Sequence, residues 1–181
     1  MGMPVRHYYT AADILAMPED GNKYEVVHGE LLVSPSPRPL HQFVLVRLVK
    51  VVAQYLDRYP VGVGATGGDL SWSEESLVVP DFFVASIGEA RAMSWSEVKH
   101  PLLVVEVLSP SNARQDRFTK RRLYQEVGVP LYWVVDPDAK CVEVWTPETL
   151  FPVTEHHEVR WHPDGAAEPL VVGLGELFRD V

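Results

Sequence analysis

The stretch LLVVEVL, residues 102–108, decides the fold class of this protein. A run that is apolar at nearly every position predicts a central β-strand whose two faces are both covered by other layers. Glu106 interrupts the run, and an ionised carboxylate there is costly unless a cation or strong hydrogen-bond donors meet it. The stretch therefore predicts a covered sheet and, within it, a buried negative charge that needs a partner.

Strand-like and helical patterns alternate on both sides of this strand. Before it lie a hairpin signal around His28-Gly29 in residues 23–34, an amphipathic helix over residues 40–59, and a strand over residues 77–86 that Pro80-Asp81 interrupts. After it lie a helix over residues 115–127, a hairpin made of residues 131–136 and 141–146, and short strands beyond Pro147. We expect one α/β domain over residues 1–181, with a mixed sheet flanked by helices.

Composition limits the classes of function. The net charge is −9, which counts against an avid, nonspecific nucleic-acid binder unless positive charge is concentrated locally or supplied by metal ions. Residues 109–127 are such a local exception, with five basic and two acidic side chains. The single cysteine, Cys141, the lack of a long apolar run and the lack of an apolar signal-peptide core in residues 1–10 predict a cytoplasmic protein without a membrane partner.

One motif match is better explained by chance. Residues 62–67, GVGATG, fit the dinucleotide pattern GxGxxG, whose phosphate-binding mechanism requires a strand before the turn and a helix after it. Here a predicted helix and Pro60 precede the match, and a strand-like segment follows it. We therefore interpret these glycines as part of a turn without a nucleotide.

Two further charged residues are predicted to face inward. Asp81 interrupts an apolar strand after Pro80, which favours a bulge or an edge, so Asp81 and Glu106 on neighbouring strands could share a metal ion. At about 100° per residue, Lys120 falls on the packed side of its helix with Asp116 and Tyr124. A capping role for Asp81, a structural arginine beside Glu106, or a buried Lys120–Glu106 ion pair are the competing interpretations. Three inward charges nevertheless favour an active site, since buried ion pairs are weak stabilisers.

The order and spacing of these segments resemble the Uma-type family of restriction endonucleases, a bacterial branch of the PD-(D/E)XK nuclease superfamily. The resemblance covers residues 24–145. It is carried by YEVVHGEL at 24–31, Ser34-Pro35 with His41, Val79-Pro80-Asp81, LVVEVLSPS at 103–111, the set Asp116, Lys120 and Tyr124, and GVPLYWVVD at 128–136.

The resemblance implies a restriction-endonuclease-like core, with an N-terminal β-hairpin and a C-terminal β extension, that hydrolyses phosphodiester bonds of nucleic acid, DNA being favoured over RNA. It implies Asp81 and Glu106 as catalytic ligands of Mg²⁺ or Mn²⁺, with the carbonyl of Val107 as a further ligand. The superfamily's lysine stands two residues after the glutamate, where this chain has Leu108. In some branches the lysine lies on the following helix, which is the position of Lys120, so the resemblance implies Lys120 as the catalytic lysine that orients or helps to deprotonate the attacking water.

The remaining expectations concern auxiliary groups and partners. The first core helix has no acidic residue near the expected end, so Glu30 or His41 is expected to serve there, and Tyr124 is a further auxiliary candidate. Arg117 and Arg121, predicted to be exposed, are expected to hold neighbouring phosphates. A homodimer would fit cleavage of two strands. The alternatives are a catalytically inactive nucleic-acid-binding or regulatory module of the same fold, and a protein in which Glu106 and Lys120 are only a buried pair.

Overall fold

The computed structural model of the protein describes residues 7–180. The prediction that residues 1–10 contain no signal-peptide core therefore falls partly on residues 1–6, which lie outside the described residues. The helices are α1 (Ala11–Leu15), α2 (Pro39–Arg58), α3 (Ile87–Ala90), α4 (Arg121–Glu126) and α5 (Leu174–Leu177), with a 3₁₀ turn at Trp95–Glu97 and a π-helix at Gln115–Lys120. The strands are β1 (Lys23–Val27), β2 (Glu30–Ser34), β3 (Gly62–Ala65), β4 (Leu70–Ser73), β5 (Ser76–Val78), β6 (Phe82–Ser86), β7 (Leu103–Val107), β8 (Tyr132–Asp136), β9 (Cys141–Trp145), β10 (Val153–Glu155), β11 (Glu158–Trp161) and β12 (Leu170–Gly173).

The central sheet has six strands in the order β10-β9-β8-β7-β6-β3. Strands β7 and β8 are parallel, and their connection contains the π-helix and α4, whereas the other pairs are antiparallel. All five residues of β7 are buried, which confirms the prediction of a covered central strand. The predicted α/β fold with a mixed sheet and flanking helices is thus confirmed.

The two faces of this sheet pack against different layers. On one face, Leu103, Val105 and Val107 join the apolar side of α2 and residues of β11, β12 and α5 in one hydrophobic cluster. On the other face, Val104 and Leu108 pack with residues of α4 and of a four-stranded sheet in the order β2-β1-β5-β4. Because side chains alternate along a strand, Glu106 lies on this second face with Val104 and Leu108.

The chain changes sheets at Pro80-Asp81. Strand β5 ends at Val78 in the four-stranded sheet, and β6 begins at Phe82 in the six-stranded sheet. Proline lacks the N–H that a ladder needs, so the interruption predicted in residues 77–86 is the point where the chain crosses from one layer to the other. This crossing places Asp81 between the two sheets, beside the end of β7.

The hairpins and the long helix confirm their predictions. His28 and Gly29 have φ of 49° and 75° in the turn between β1 and β2, the left-handed region that a two-residue hairpin turn needs. The C-terminal strands form the predicted β extension. Among residues 7–180, no helix combines the length and the apolar content that crossing a lipid bilayer requires.

The glycine motif at residues 62–67 lies in β3 and the turn after it, which confirms that the match is not a strand-turn-helix phosphate loop. Close packing requires a residue without a Cβ at positions 62 and 64. A Cβ at Gly62 would lie 2.6 Å from the carbonyl oxygen of Ala85, and one at Gly64 would lie 2.8 Å from the ring of Phe82.

The helix predicted over residues 115–127 is present, but its first part is a π-helix and not the α-helix that the prediction assumed. Residues Gln115–Lys120 form a π-helix that continues into α4. The side-chain directions nevertheless agree with the prediction, because Asp116, Lys120 and Tyr124 are all buried. A π-turn within a helix is rare and is frequent at functional sites.

Candidate active site

Asp81 and Glu106 meet where the sheet crossing passes the end of β7. The backbone N–H of Asp81 donates to Glu106 Oε2 at 3.4 Å, and Asp81 Oδ2 accepts from the backbone N–H of Val107 at 2.8 Å. Strand pairing sets this contact, since Phe82, next to Asp81, is opposite Val105, next to Glu106. The structure therefore brings together the two carboxylates that the sequence predicted to be neighbours.

Lys120 reaches this pair from the π-helix. Its Nζ lies 3.0 Å from Glu106 Oε1, and both side chains are almost completely buried. The hydroxyl of Tyr124, one further position along the same helix side, donates to Glu106 Oε1 at 3.2 Å. The structure thus brings both Lys120 and Tyr124 into contact with Glu106.

Two carboxylates that the sequence analysis did not include in the site complete the surroundings of Lys120. Glu25 Oε2 lies 2.9 Å and Asp116 Oδ1 lies 3.2 Å from Lys120 Nζ, and both side chains are fully buried. Glu25 is held by the backbone N–H of Val79, which donates to Glu25 Oε1 at 2.7 Å. Lys120 therefore joins β1, β7 and its own helix through three carboxylates.

A second lysine, Lys23, was also missed. Its Nζ donates to the carbonyl oxygen of Val79 at 3.1 Å and to Asp81 Oδ1 at 3.4 Å. The sequence offered no clear signal for Lys23 and Glu25, because alternation along the strand puts the apolar Tyr24 and Val26 on one face and the two charges on the other. That pattern favours a solvent-facing position for the charges, and the second sheet face that buries them is a matter of tertiary packing.

His41 approaches Asp81 from the first turn of α2. Its Nε2 lies 3.5 Å from Asp81 Oδ2, and the ring is 4% exposed. The backbone carbonyl of Val107 favours the charged form of the same ring. Burial lowers the pKa of His41 despite the opposing effect of Asp81, and the ring is therefore neutral near pH 7.

Asp81 lines a cleft of about 810 Å³. Lys23, His41, Val79, Pro80 and the polar residues Ser34, Ser109 and Asn112 also line it. Glu106, Lys120, Glu25 and Asp116 are one layer deeper. The cleft therefore gives a ligand access to Asp81 and Lys23, with the buried charges behind them.

The cluster has more acid than base. Four carboxylates (Glu25, Asp81, Glu106 and Asp116) face two ammonium groups (Lys23 and Lys120). Two negative charges are in excess when all four carboxylates are ionised and His41 is neutral.

The pKa shifts follow first from burial and then from the neighbouring charges. Burial raises the pKa of Glu106 well above its ordinary value, and it raises that of Asp116 to about 6, in each case against the opposing effect of Lys120. Burial also acts to raise the pKa of Asp81, but Lys23, His41 and Lys120 hold it below its ordinary value. Burial opposes the charge of Lys120, but Glu106, Glu25 and Asp116 raise its pKa well above its ordinary value. Lys120 is thus a permanent cation.

Three predicted site residues, Glu30, Arg117 and Arg121, do not reach this cluster. Glu30 is exposed at the hairpin turn and lines a separate cleft with Phe118 and Arg122, because it pairs with Val27 at the turn end of the hairpin, two residues beyond Glu25. Its auxiliary role is not supported by this position.

Arg117 and Arg121 are also engaged within the protein. Arg117 donates to Asp136 at 2.8 Å and to Glu143 at 2.7 Å, with 31% of its side chain exposed. Arg121 donates to Gln125 and stacks over the ring of Trp145 at 4.9 Å. The expectation of free phosphate-binding arginines overlooked acidic and aromatic partners on β8 and β9, which are distant in sequence.

The donor set fits a hard divalent cation. Asp81, Glu106 and the carbonyl of Val107 offer oxygen ligands, and Mg²⁺ typically takes one or two carboxylates and keeps several waters. Glu106 Oε2 accepts a single long hydrogen bond, at 3.4 Å, which leaves much of its capacity free. Among residues 7–180, no group of three or more His, Cys, Asp or Glu side chains could hold a metal ion, and a site made of two carboxylates and a backbone carbonyl needs none.

Comparisons with known proteins agree with this architecture. The fold is similar to the crystal structure of "a putative nuclease belonging to DUF820" from Anabaena variabilis ATCC 29413, with a TM-score of 0.78 and 19% sequence identity over 93% of this chain and 97% of that chain. No curated protein matches this sequence. The family Uma2, described as "Putative restriction endonuclease", matches residues 11–170. A match over most of the chain, with its core strands and its buried charges included, shows that the protein belongs to the Uma2 family.

Proposed function

We propose that this protein is a divalent-metal-dependent endonuclease that hydrolyses phosphodiester bonds, with DNA as its substrate. The family description and the similar fold support a nuclease in general. The observation that carries the finer proposal is the cluster of four carboxylates around two ammonium groups, in which Asp81 lines an open cleft and Glu106 lies directly behind it, with an excess of two negative charges when all four carboxylates are ionised. One Mg²⁺ or Mn²⁺ ion would neutralise this excess.

Asp81, Glu106 and the carbonyl of Val107 would hold the ion. A divalent ion bound to carboxylates lowers the pKa of a coordinated water and neutralises charge that develops on phosphate oxygens. The geometry of Asp81 is set in advance by the N–H of Val107 at 2.8 Å, and that of Glu106 by Lys120 and Tyr124. Both ligands are therefore oriented before substrate binds, which is the requirement of an efficient site.

Lys120 acts in this proposal as a positioning residue. Its ammonium is held among three carboxylates and its side chain is 1% exposed, so it has no direct access to a substrate in the cleft. A permanent cation also has no lone pair with which to take a proton from water. In place of the role toward the attacking water that the resemblance implies, the position of Lys120 supports the orientation of Glu106.

The test combines a thermal melt with a plasmid-nicking assay, both in EDTA, Mg²⁺ and Mn²⁺. Wild type is expected to melt at a higher temperature with metal, because binding to the folded state stabilises it by mass action, and to nick the plasmid. Asp81→Asn and Glu106→Gln are expected to lose both effects. Asp57→Asn, which removes an exposed carboxylate on α2, serves as the matched control and should retain both. Nicking by Asp81→Asn or Glu106→Gln at the wild-type rate would refute the proposal.

A catalytically inactive nucleic-acid-binding module is the second candidate. It is favoured by one observation, namely that Leu108, at the position of the superfamily's lysine, is 3% exposed within a hydrophobic cluster. DNA binding without metal-dependent nicking by wild type would support this candidate over the nuclease.

A further inference from the structure

The two lysines of the cluster differ in their access to the cleft. Lys120 has 1% of its side chain exposed and lies behind the cleft. Lys23 has 27% exposed and lines the cleft beside Asp81. A substrate that enters the cleft therefore meets the ammonium of Lys23 first.

The hydrogen-bond capacity of the two lysines differs in the same way. An ammonium has three N–H donors. The Nζ of Lys120 lies within 3.2 Å of oxygens of Glu25, Glu106 and Asp116, so three acceptors surround three donors. The Nζ of Lys23 has two acceptors within hydrogen-bond distance, the carbonyl oxygen of Val79 and Asp81 Oδ1. Lys23 thus retains one donor for a further acceptor.

The electrostatics of the cleft favour such a contact. The carboxylates around Asp81 repel an approaching phosphate wherever cations do not balance them, and like charges repel strongly where solvent is partly excluded. Lys23 is the lysine that lines this cleft. Its position at the start of β1, with Nζ held by the Val79 carbonyl, keeps its charge at the cleft surface.

We propose that Lys23, and not Lys120, contacts the phosphate of a nucleic acid bound in this cleft, an inference that rests on the proposed function of the site. The partner chemistry is a phosphodiester next to the carboxylate of Asp81. Lys23 would then be the residue that touches the substrate, while Lys120 maintains the carboxylates behind it.

The first experiment measures binding without cleavage. A fluorescent DNA duplex is titrated with wild type, Lys23→Ala, Lys23→Arg and Lys50→Ala in Ca²⁺, at a series of NaCl concentrations. Each lost phosphate contact reduces the slope of log Kobs against log salt by about 0.9 for duplex DNA. We expect that reduction in Lys23→Ala, and a wild-type slope in Lys23→Arg, which keeps the charge.

Lys50→Ala is the matched control, since Lys50 is exposed on α2 and lies outside the cleft lining. Its slope should equal that of wild type. An unchanged slope in Lys23→Ala, or an equal reduction in Lys50→Ala, would overturn the inference, because the effect would then be absent or would reflect net charge alone. Circular dichroism establishes that each variant is folded before binding is compared.

The second experiment measures single-turnover nicking of plasmid DNA in Mg²⁺. Lys23→Ala is expected to nick about 100-fold more slowly, the effect typical of losing one donor that stabilises transition-state charge, and Lys23→Arg to retain more activity. If wild type and Lys23→Ala nick equally fast, the inference fails while the proposed function stands. If wild type does not nick, the proposed function fails, and the salt dependence of binding still decides whether Lys23 contacts phosphate.

Discussion

The ammonium of Lys120 lies 3.0 Å from the carboxylate of Glu106, and the two side chains are 1% and 0% exposed. This contact links the π-helix to the central strand β7, and Glu25 extends it to the neighbouring sheet. Buried ion pairs rarely stabilise a fold more than apolar residues would. A cluster of this kind therefore has a better explanation in its position beneath the cleft than in stability alone.

Removing the buried cation should be severe for stability. Lys120→Met leaves Glu25, Glu106 and Asp116 without their shared counter-charge, and breaking a buried pair typically costs about 3 to 5 kcal/mol. Urea denaturation at pH 7.5 in EDTA measures the loss in the free energy of unfolding. Lys50→Met, an exposed position on α2, should change it by less than about 0.5 kcal/mol. A loss below about 1 kcal/mol in Lys120→Met would contradict the buried charge cluster.

The stability of the metal-free protein should fall as pH rises through about 6. The pKa of Asp116 is raised to about 6 in the folded protein from an unfolded value of 3.8. A raised carboxyl pKa contributes stability that is fully present below the unfolded pKa and is lost as pH rises through the folded one. The shift corresponds to a free energy on the order of 3 kcal/mol.

Asp116→Asn tests this pH dependence, because the amide does not titrate. The difference in unfolding free energy between Asp116→Asn and wild type, measured in EDTA with urea, should grow in favour of the variant between pH 4.5 and pH 7.5. A difference that stays constant over this range would show that Asp116 does not titrate with a raised pKa.

Arg117 and Arg122 should separate a structural arginine from a solvent-exposed one. Arg117→Ala breaks hydrogen bonds to Asp136 and Glu143 and should lower the free energy of unfolding by about 1 to 2 kcal/mol. Arg122 is 72% exposed and pairs with Glu126 on the same helix, so Arg122→Ala should cost less than about 0.5 kcal/mol. Thermal or urea unfolding measures both. Equal small effects would restore Arg117 as a free phosphate-binding candidate.

Gly62→Ala and Gly88→Ala test whether the glycine motif is required by packing. A Cβ at Gly62 would lie 2.6 Å from the carbonyl oxygen of Ala85, whereas one at Gly88 in α3 meets nothing within 4 Å. Gly62→Ala should therefore destabilise by about 1 to 3 kcal/mol, and Gly88→Ala should be neutral or stabilise by up to about 1 kcal/mol. Urea unfolding of both variants provides the comparison, and an unaffected Gly62→Ala would remove the packing argument.

Much of the fold was predictable because its signals are local. The apolar run at residues 102–108, the His28-Gly29 turn and the spacing of apolar residues in 40–59 each depend on neighbours in sequence, and each matches the structure. The π-helix at Gln115–Lys120 was not predicted, since its spacing of buried residues agrees equally well with an α-helix over so short a segment. The homodimer stays a prediction.

The candidate site was predictable only in part. The sequence by itself determined that Asp81, Glu106 and Lys120 face inward, because charges at apolar positions of strands and helices must find partners. Only the tertiary structure decided which partners these are. It places Lys23 and Glu25 of another sheet in contact with Asp81 and Lys120. It also pairs Arg117 with Asp136 and Glu143. The physical reason is that an inward direction follows from periodicity along one segment, whereas a contact depends on how separate segments pack.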